Sequence, residues 1–482
     1  MIAENYYRTD WNILYPEVNW SGRGPNYQGR EFQTVSFAAA GLYVLLGQQD
    51  WIGRLISVVF GLWGIFALYK LVSLLWDKDR ALVSAMVMAV LPGSIFIERS
   101  FIPDPAMVSL VVTSLWMFVL YLQTGRQRYV IGSALIGTWG FLTKITGLIV
   151  GLPMVYAIFS VPKRDEKLTL KRVATIILIF SLSLISVASY YLWAKHLSDK
   201  YPPHVFAGEG NWLWDRGITE WAGQGYFVSK LIQRLIWLWS LPAFILVLFS
   251  FIINLTPARQ VFGNRNFSWF FHWWFFAGII YYLLGAVELI GNPWNFHIIN
   301  PAAAALASDS IVKISSINSR SIWSPSSSFI IIPIIILIVI FGRRDLNQSY
   351  TPYAQNGYKL GLALRHIAQP HDLIVTIPDS YGDPVAIYYS QRRGWVFPPA
   401  GNRDWGKLPD DDGESIRLFE EIREKDARWF GIVNHRKKDI WDKHPKFAEY
   451  IQSKTELHTE TPEYSIYRIL TRKELGKKSS ID

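Results

Sequence analysis

Residues 329–342 read FIIIPIIILIVIFG, a run without one charged or hydrogen-bonding side chain. A helix or strand at the surface of a soluble core alternates apolar with polar positions. A run this uniform has to be surrounded by apolar material, which a bilayer core of about 30 Å supplies. Measured against it, nine further runs stand out, near 51–75, 81–97, 105–123, 129–143, 146–161, 173–194, 229–254, 268–290 and 296–312. The 129–143 and 296–312 runs are rich in small residues, which suits close helix–helix contact. The composition agrees: of 482 residues, 51% are hydrophobic and 18% charged, and the mean hydropathy is +0.17. Soluble domains carry more charge than this. The expected fold class is an α-helical polytopic membrane protein of about ten transmembrane helices with a small C-terminal α/β domain.

Basic residues in short connections set the expected orientation. Lys and Arg gather in DKDR (77–80), GRQR (125–128), PKRDEKLTLKR (162–172), TPARQVFGNR (256–265) and the stretch from Lys313 to Arg320, which alternate with less basic loops. The first set is expected in the cytoplasm. The N-terminal 50 residues, the ERSFIPD turn, the loop at 195–228, the ELIGNPWN turn and everything after 343 are expected outside, at the surface of a multi-pass cell-membrane protein. The net charge of +10 is thereby read as membrane orientation, with no nucleic-acid partner. With no Cys, disulfides, a thiol nucleophile and Cys-ligated metal centres are excluded.

SSINSRSIWSPSSS (315–328) reads as a solvated linker. From about 343 charged residues become frequent, and short β-type runs such as HDLIVTI, RWFGIV and YSIYRIL alternate with helical ones such as YKLGLALRHIA and ESIRLFEEIREKDA. The organisation expected is therefore a first extracytoplasmic loop with a short membrane-surface helix (1–50), a transmembrane domain (51–342) and an extracytoplasmic α/β domain (343–482).

An ionisable group at membrane depth is costly, so those that cannot escape into a loop are candidate site residues. Lys144 stands in WGFLTKITGLIVG with only Thr143 and Thr146 as polar neighbours. It reads either as a lysine snorkelling to the surface or as a cation that holds a phosphate or carboxylate. Asp104, in ERSFIPDPAM, has the setting of a helix cap before Pro105, yet Glu98 and Arg99 share its turn, and a guanidinium suits phosphate. His297, in NPWNFHIINPAAA, opens a further run. Glu31, Arg54, Glu209, Asp215, Arg216 and Glu288 add outer charges that read first as solvated or interfacial. The aromatic stretch WLWDRGITEWAGQGYF (212–227) suits sugar stacking or lipid contact. No GxGxxG, P-loop, HExxH or GxSxG is present, so no cofactor is expected, and a divalent metal is left open.

Taken in order, EFQTVSFAAAGLYVLLGQQDWIGRLISVVFG (31–61), LPGSIFIERSFIPD (91–104), WGFLTKITGL (139–148) and NFHIINPAAAALA (295–307) resemble the GT-C membrane glycosyltransferases of the protein-mannosyltransferase and aminoarabinose-transferase type. The resemblance runs over about residues 1–345. It implies transfer of a sugar from a polyprenyl-phosphate carrier to a lipid, glycan or protein acceptor at the outer membrane face, with membrane lipids as the other partners. It also implies that Asp104 matches the family's second acidic position and Lys144 the lysine paired with the catalytic acid, while His297 matches a His-bearing position loosely. Lys144 and Arg99 would steady the carrier phosphate and Asp104 would serve the acceptor or its partner cation, with Glu98, His297 and Glu31 as further members of the site.

The family's principal acid lies just before a segment like IAENYYRTDWNILYP, here residues 2–16, so the resemblance implies a chain without that acid and without the span preceding it. Two competing functions are a multi-span transporter or flippase, disfavoured by the lack of evident inverted repeats, and a non-catalytic membrane protein of the same fold.

Overall fold

The computed structural model describes residues 1–160, 169–207, 212–213, 217, 227–255, 269–316, 325–400, 406–471 and 474. Much of the basic connections at 162–172 and 315–328, the whole of 256–265, most of the aromatic stretch at 212–227, and Glu209, Asp215 and Arg216 lie outside the described residues.

The chain divides into two compact units. The larger, residues 31–192 and 208–350, is helical. A helix overlaps each of the ten apolar runs, but among the described residues three are single helices long and apolar enough to cross a membrane: Asp50–Leu75, Asp104–Thr124 and Leu170–Lys200. Two further crossings are made if bent pairs count as one span each: Lys78–Val90 with Pro92–Glu98, bent by 66°, and a pair bent by 109° at Ser240. Ten full crossings are thus not established. Several of the runs are interrupted, and the causes are local. Pro92 brings no N–H to continue a helix, Ser240 sits at a left-handed φ of 68°, and Lys144 is extended (φ −161°, ψ 125°) between Gln127–Thr143 and the 3₁₀ turn Ile145–Val150.

Helices Asp104–Thr124 and Gln127–Thr143 pack through small residues. Ser114 and Ser133 exchange hydroxyl-to-carbonyl hydrogen bonds of 2.8 Å each, and a Cβ at Gly140 would stand 2.9 Å from Val111 Cγ2. Elsewhere in this unit a closed ion cluster joins helices. Arg80 Nε donates to Asp309 Oδ1 (2.8 Å) and its NH1 pairs with Asp77, while Lys313 Nζ (2.8 Å) and Ser250 Oγ (3.3 Å) donate to Asp309 Oδ2. Arg80 and Asp309 are buried, although DKDR reads in sequence as a solvated loop.

The second unit comprises Met1–Arg30, Trp193–Ala207 and Thr351–Asp482. Residues 1–30 therefore group with the C-terminal region, where the sequence reading assigns 1–50 to one loop. Its six strands are β1 (Ser21–Gly22), β2 (Leu373–Ile377), β3 (Arg393–Val396), β4 (Ala427–Val433), β5 (Thr455–Glu460) and β6 (Tyr464–Ile469), in the sheet order β1-β3-β2-β4-β6-β5. β2 runs parallel to β3 and β4, and the outer pairings are antiparallel. Alternation along β2 sends Leu373, Val375 and Ile377 into one apolar cluster with Phe397, Phe419 and Phe430, and Ile374 into another with Val18, Trp20 and Leu360. Both faces of the sheet are covered, which is why β2 is buried at all five positions. VAIYYS (385–390), ambiguous in sequence between strand and helix, is a helix.

Candidate functional site

Interruptions of the apolar helices carry the site. Unwound backbone within a membrane protein is tolerated where it is enclosed by protein or lines a cavity. Here helix Pro92–Glu98 supplies Ser94 and Glu98, and the break after Gln127–Thr143 supplies Lys144. The 3₁₀ turn Pro293–Ile299 supplies Asn295 and His297, and the bend at Ser240 follows Trp239.

Lys144 is 8% exposed and does not reach the surface. Its Nζ donates to Asp104 Oδ1 at 2.7 Å and to Asn295 Oδ1 at 2.6 Å, so two of its three N–H donors are used. The position is fixed from behind: Phe32 N–H donates to Leu142 C=O (2.9 Å), Thr34 and Thr143 hydroxyls meet at 2.7 Å, and the Trp139 indole donates to Thr34 Oγ1 (3.0 Å). Asp104 is the first residue of its helix, but its carboxylate makes no capping bond, contrary to the capping reading; it turns to Lys144 instead. It is 1% exposed, and its Oδ2 is buried with no hydrogen-bond partner among the described residues. A buried pair with one free acceptor and one spare donor is prepared for a ligand that offers both a hydroxyl and an anionic oxygen.

A second pair lies against the same turn. His297 is wholly buried, and its Nε2 stands 3.5 Å from Glu98 Oε1. Asn300 bonds to His297 Nδ1 (3.0 Å), to Ser94 Oγ (3.2 Å) and to the Trp239 indole (2.9 Å).

The structure thus joins Asp104 with Lys144 and Glu98 with His297. Arg99, their neighbour in sequence, is exposed and stacks its guanidinium over Tyr350, 4.7 Å from the ring centroid. Stacking occupies the face of the guanidinium, and its N–H edges make no hydrogen bond among the described residues. Glu31 is partly buried, Arg54 is exposed, and Glu288 accepts from Asn292. Asn295, Asn300, Ser94 and Trp239 are site residues that the sequence reading did not single out. Among the described residues no group of three His, Cys, Asp or Glu converges to hold a metal ion.

This arrangement of broken apolar helices with a small sheet unit is the fold of the GT-C type membrane glycosyltransferases. Residues 34–191 match the family of dolichyl-phosphate-mannose-protein mannosyltransferases. The chain is similar in fold to ArnT from Cupriavidus metallidurans, solved bound to undecaprenyl phosphate: TM-score 0.61 and 12% identity, covering 98% of this chain and 92% of that one. It is also similar to the oligosaccharyltransferase AglB from Archaeoglobus fulgidus, solved with an inhibitory peptide and a dolichol-phosphate. There the TM-score is 0.57 and the identity 12%, over 98% of this chain and 69% of that one. No curated relative matches by sequence.

Proposed function

We propose that the protein transfers a sugar from a polyprenyl-phosphate carrier to an acceptor at the extracytoplasmic face of the cell membrane, with the sheet unit on that face. The buried Lys144–Asp104 pair, with its spare ammonium N–H and its unpartnered Oδ2, carries this reading. Cleaving the bond between sugar C1 and the carrier phosphate places negative charge on a phosphate oxygen. A preorganised cation in a water-poor site stabilises that charge far better than water does. Lys144 supplies the cation, Arg99 adds a planar donor edge, and Asn295 orients Lys144. Asp104 holds Lys144 through Oδ1 and offers Oδ2 to a substrate hydroxyl. The structures of ArnT and AglB were solved with polyprenyl-type phosphates, which supports a donor of this class.

The test uses membranes containing the full chain and polyprenyl-phosphate sugars labelled in the sugar. Label leaving the carrier for a second molecule is expected. Carrier crossing the bilayer with its label intact would overturn the reading in favour of a flippase. Sidedness is read by single Cys substitutions, which are clean in a chain without Cys. An impermeant reagent on intact cells is expected to label a Cys at position 210 and spare one at 165, and the reverse would overturn the orientation.

A further inference from the structure

At the amino ends of β2 and β4 the sheet unit carries a hollow of about 350 Å3, which shares Asp426, Arg428 and Ile469 with a second of about 540 Å3 beside it. Both have the size of small-molecule sites. Two departures from regular backbone put charged side chains in the wall. β2 pairs Leu373 with Ala427 and Ile374 with Trp429, so Arg428 is an extra residue in β4, a bulge of the kind that re-aims a side chain. Arg428 is exposed, and its guanidinium makes no hydrogen bond or ion pair among the described residues. Arg468, across the ladder from Trp429, is by contrast taken up by Glu456 and Glu474. Asp426, just before β4, has a φ of 65°, the left-handed region that glycine adopts at least cost. Its carboxylate stands 3.8 Å from Arg23 in a pair exposed on both sides, which contributes little to stability. A carboxylate is thus kept at a glycine-type position for little return to the fold. Asp372, beside it, is held in place: its Oδ2 accepts from the Gln369 N–H at 2.9 Å and from the Trp429 indole at 3.0 Å, and its Oδ1 has no partner among the described residues.

The hollow therefore sets acceptors next to donors around an indole: Asp372 and Asp426 against Arg428 and Arg23, with Trp429 in the wall. A bare anion would meet two carboxylates there, and a bare cation would meet the guanidiniums. A hydroxyl donates and accepts at once, so neighbouring hydroxyls on one ligand use both kinds of group. A pyranose ring adds an apolar C–H face, which an indole can cover. We infer that this hollow binds a neutral sugar residue of a glycan, whose hydroxyls accept from Arg428 and Arg23 and donate to Asp372 and Asp426. The site lies wholly within the sheet unit and uses none of Lys144, Asp104, Asn295 and His297. It stands independently of whether the protein transfers sugar.

The experiment measures equilibrium binding of fluorescently end-labelled neutral tetrasaccharides, built of glucose, galactose, mannose or N-acetylglucosamine, to the purified full chain in lipid nanodiscs. No lipid-linked donor is present, so the result is separate from the test of sugar transfer. The wild-type chain is expected to bind at least one of these probes with a Kd of about 1 mM or tighter. Arg428→Ala is expected to weaken that binding by at least about tenfold, the scale of a lost hydrogen bond from a charged donor. Asp426→Gly separates binding from folding, and it decides the matter alone should Arg428→Ala not fold. Glycine adopts a φ of 65° freely, so the thermal unfolding temperature should hold or rise while affinity falls by about three- to tenfold. Binding that is absent from the wild-type chain, or that either substitution leaves unchanged, overturns the site. Displacement of the bound tetrasaccharide by inorganic phosphate at equal concentration would make the hollow an anion site and overturns the sugar assignment.

Discussion

Asp309 and Asp104 are both buried carboxylates of the helical unit, each facing a lysine, and they are finished differently. Both oxygens of Asp309 are occupied, by Arg80 on one side and by Lys313 and Ser250 on the other, and Arg80 holds Asp77 besides. Asp104 has Lys144 on Oδ1 and, among the described residues, nothing on Oδ2. A saturated cluster has no valence left for a ligand and ties Lys78–Val90 to Asn300–Ser316. An unsaturated one keeps a desolvated acceptor waiting, which costs stability unless something binds there. Completeness of hydrogen bonding, rather than burial or charge, separates the fastening from the site.

The largest effect is expected where the closed cluster is opened. Asp309→Ala removes the buried carboxylate that Arg80 Nε, Lys313 and Ser250 share and should destabilise the folded protein by about 3–5 kcal/mol, read as a fall in thermal unfolding temperature in detergent. A change near zero would mean that the cluster is solvated and that the contrast with Asp104 fails. Next comes the open pair. Lys144→Ala should lose at least about 2 kcal/mol of transition-state stabilisation, about 30-fold in turnover. The double variant Lys144→Ala/Asp104→Asn, which removes both charges, should regain stability over the single variant but not activity. Recovery of turnover in the double variant would reduce the pair to a structural role.

The smallest effect concerns an ion pair at the surface of the sheet unit. Hydrogen bonding from the Arg423 guanidinium, aided by the Tyr450 hydroxyl, holds the Glu420 carboxyl down at about 2 against an ordinary 4.5. A depressed folded-state pKa contributes stability that is complete above 4.5 and is lost as pH falls from there toward 2. Amide hydrogen-exchange protection of the helix Asp412–Glu424 should decline over that window, and Glu420→Gln should flatten the decline. Solvent screening keeps the contribution small beside that of Asp309.

Apolar run length made the helices legible, since a helix overlaps each of the ten runs. The break at Ser240 was not, because a serine leaves no mark in hydropathy, and Pro92, though visible, lay inside what reads as one continuous run. Lys144 was legible through its cost at membrane depth, and Asp104 through its partnership in the family pattern. Asn295 and Asn300 were not, since a neutral amide is inexpensive enough to occur anywhere. The stacking of the Arg99 guanidinium over Tyr350 was not legible either, since the two stand far apart along the chain. Arg80 read as a loop charge because its partner Asp309 lies 229 residues away. β1 escaped notice for a similar reason: two residues, Ser21 and Gly22, have no periodicity, and they become a strand only by pairing with Trp395 and Gly394.

That pairing has a consequence for biosynthesis. Glu17, beside β1, is held by Arg393 at 2.8 Å across 376 residues of chain. At roughly 5–20 residues per second, a ribosome needs roughly 20 to 75 s to travel from one partner to the other. Throughout that interval Val18 and Trp20, buried in the finished sheet unit, have no β3 or β2 to cover them. Val18 and Trp20 must outlast the synthesis of everything between, which leaves them open to holding factors and proteases. Substitutions there should register in the yield of assembled protein before they register in the stability of what has assembled.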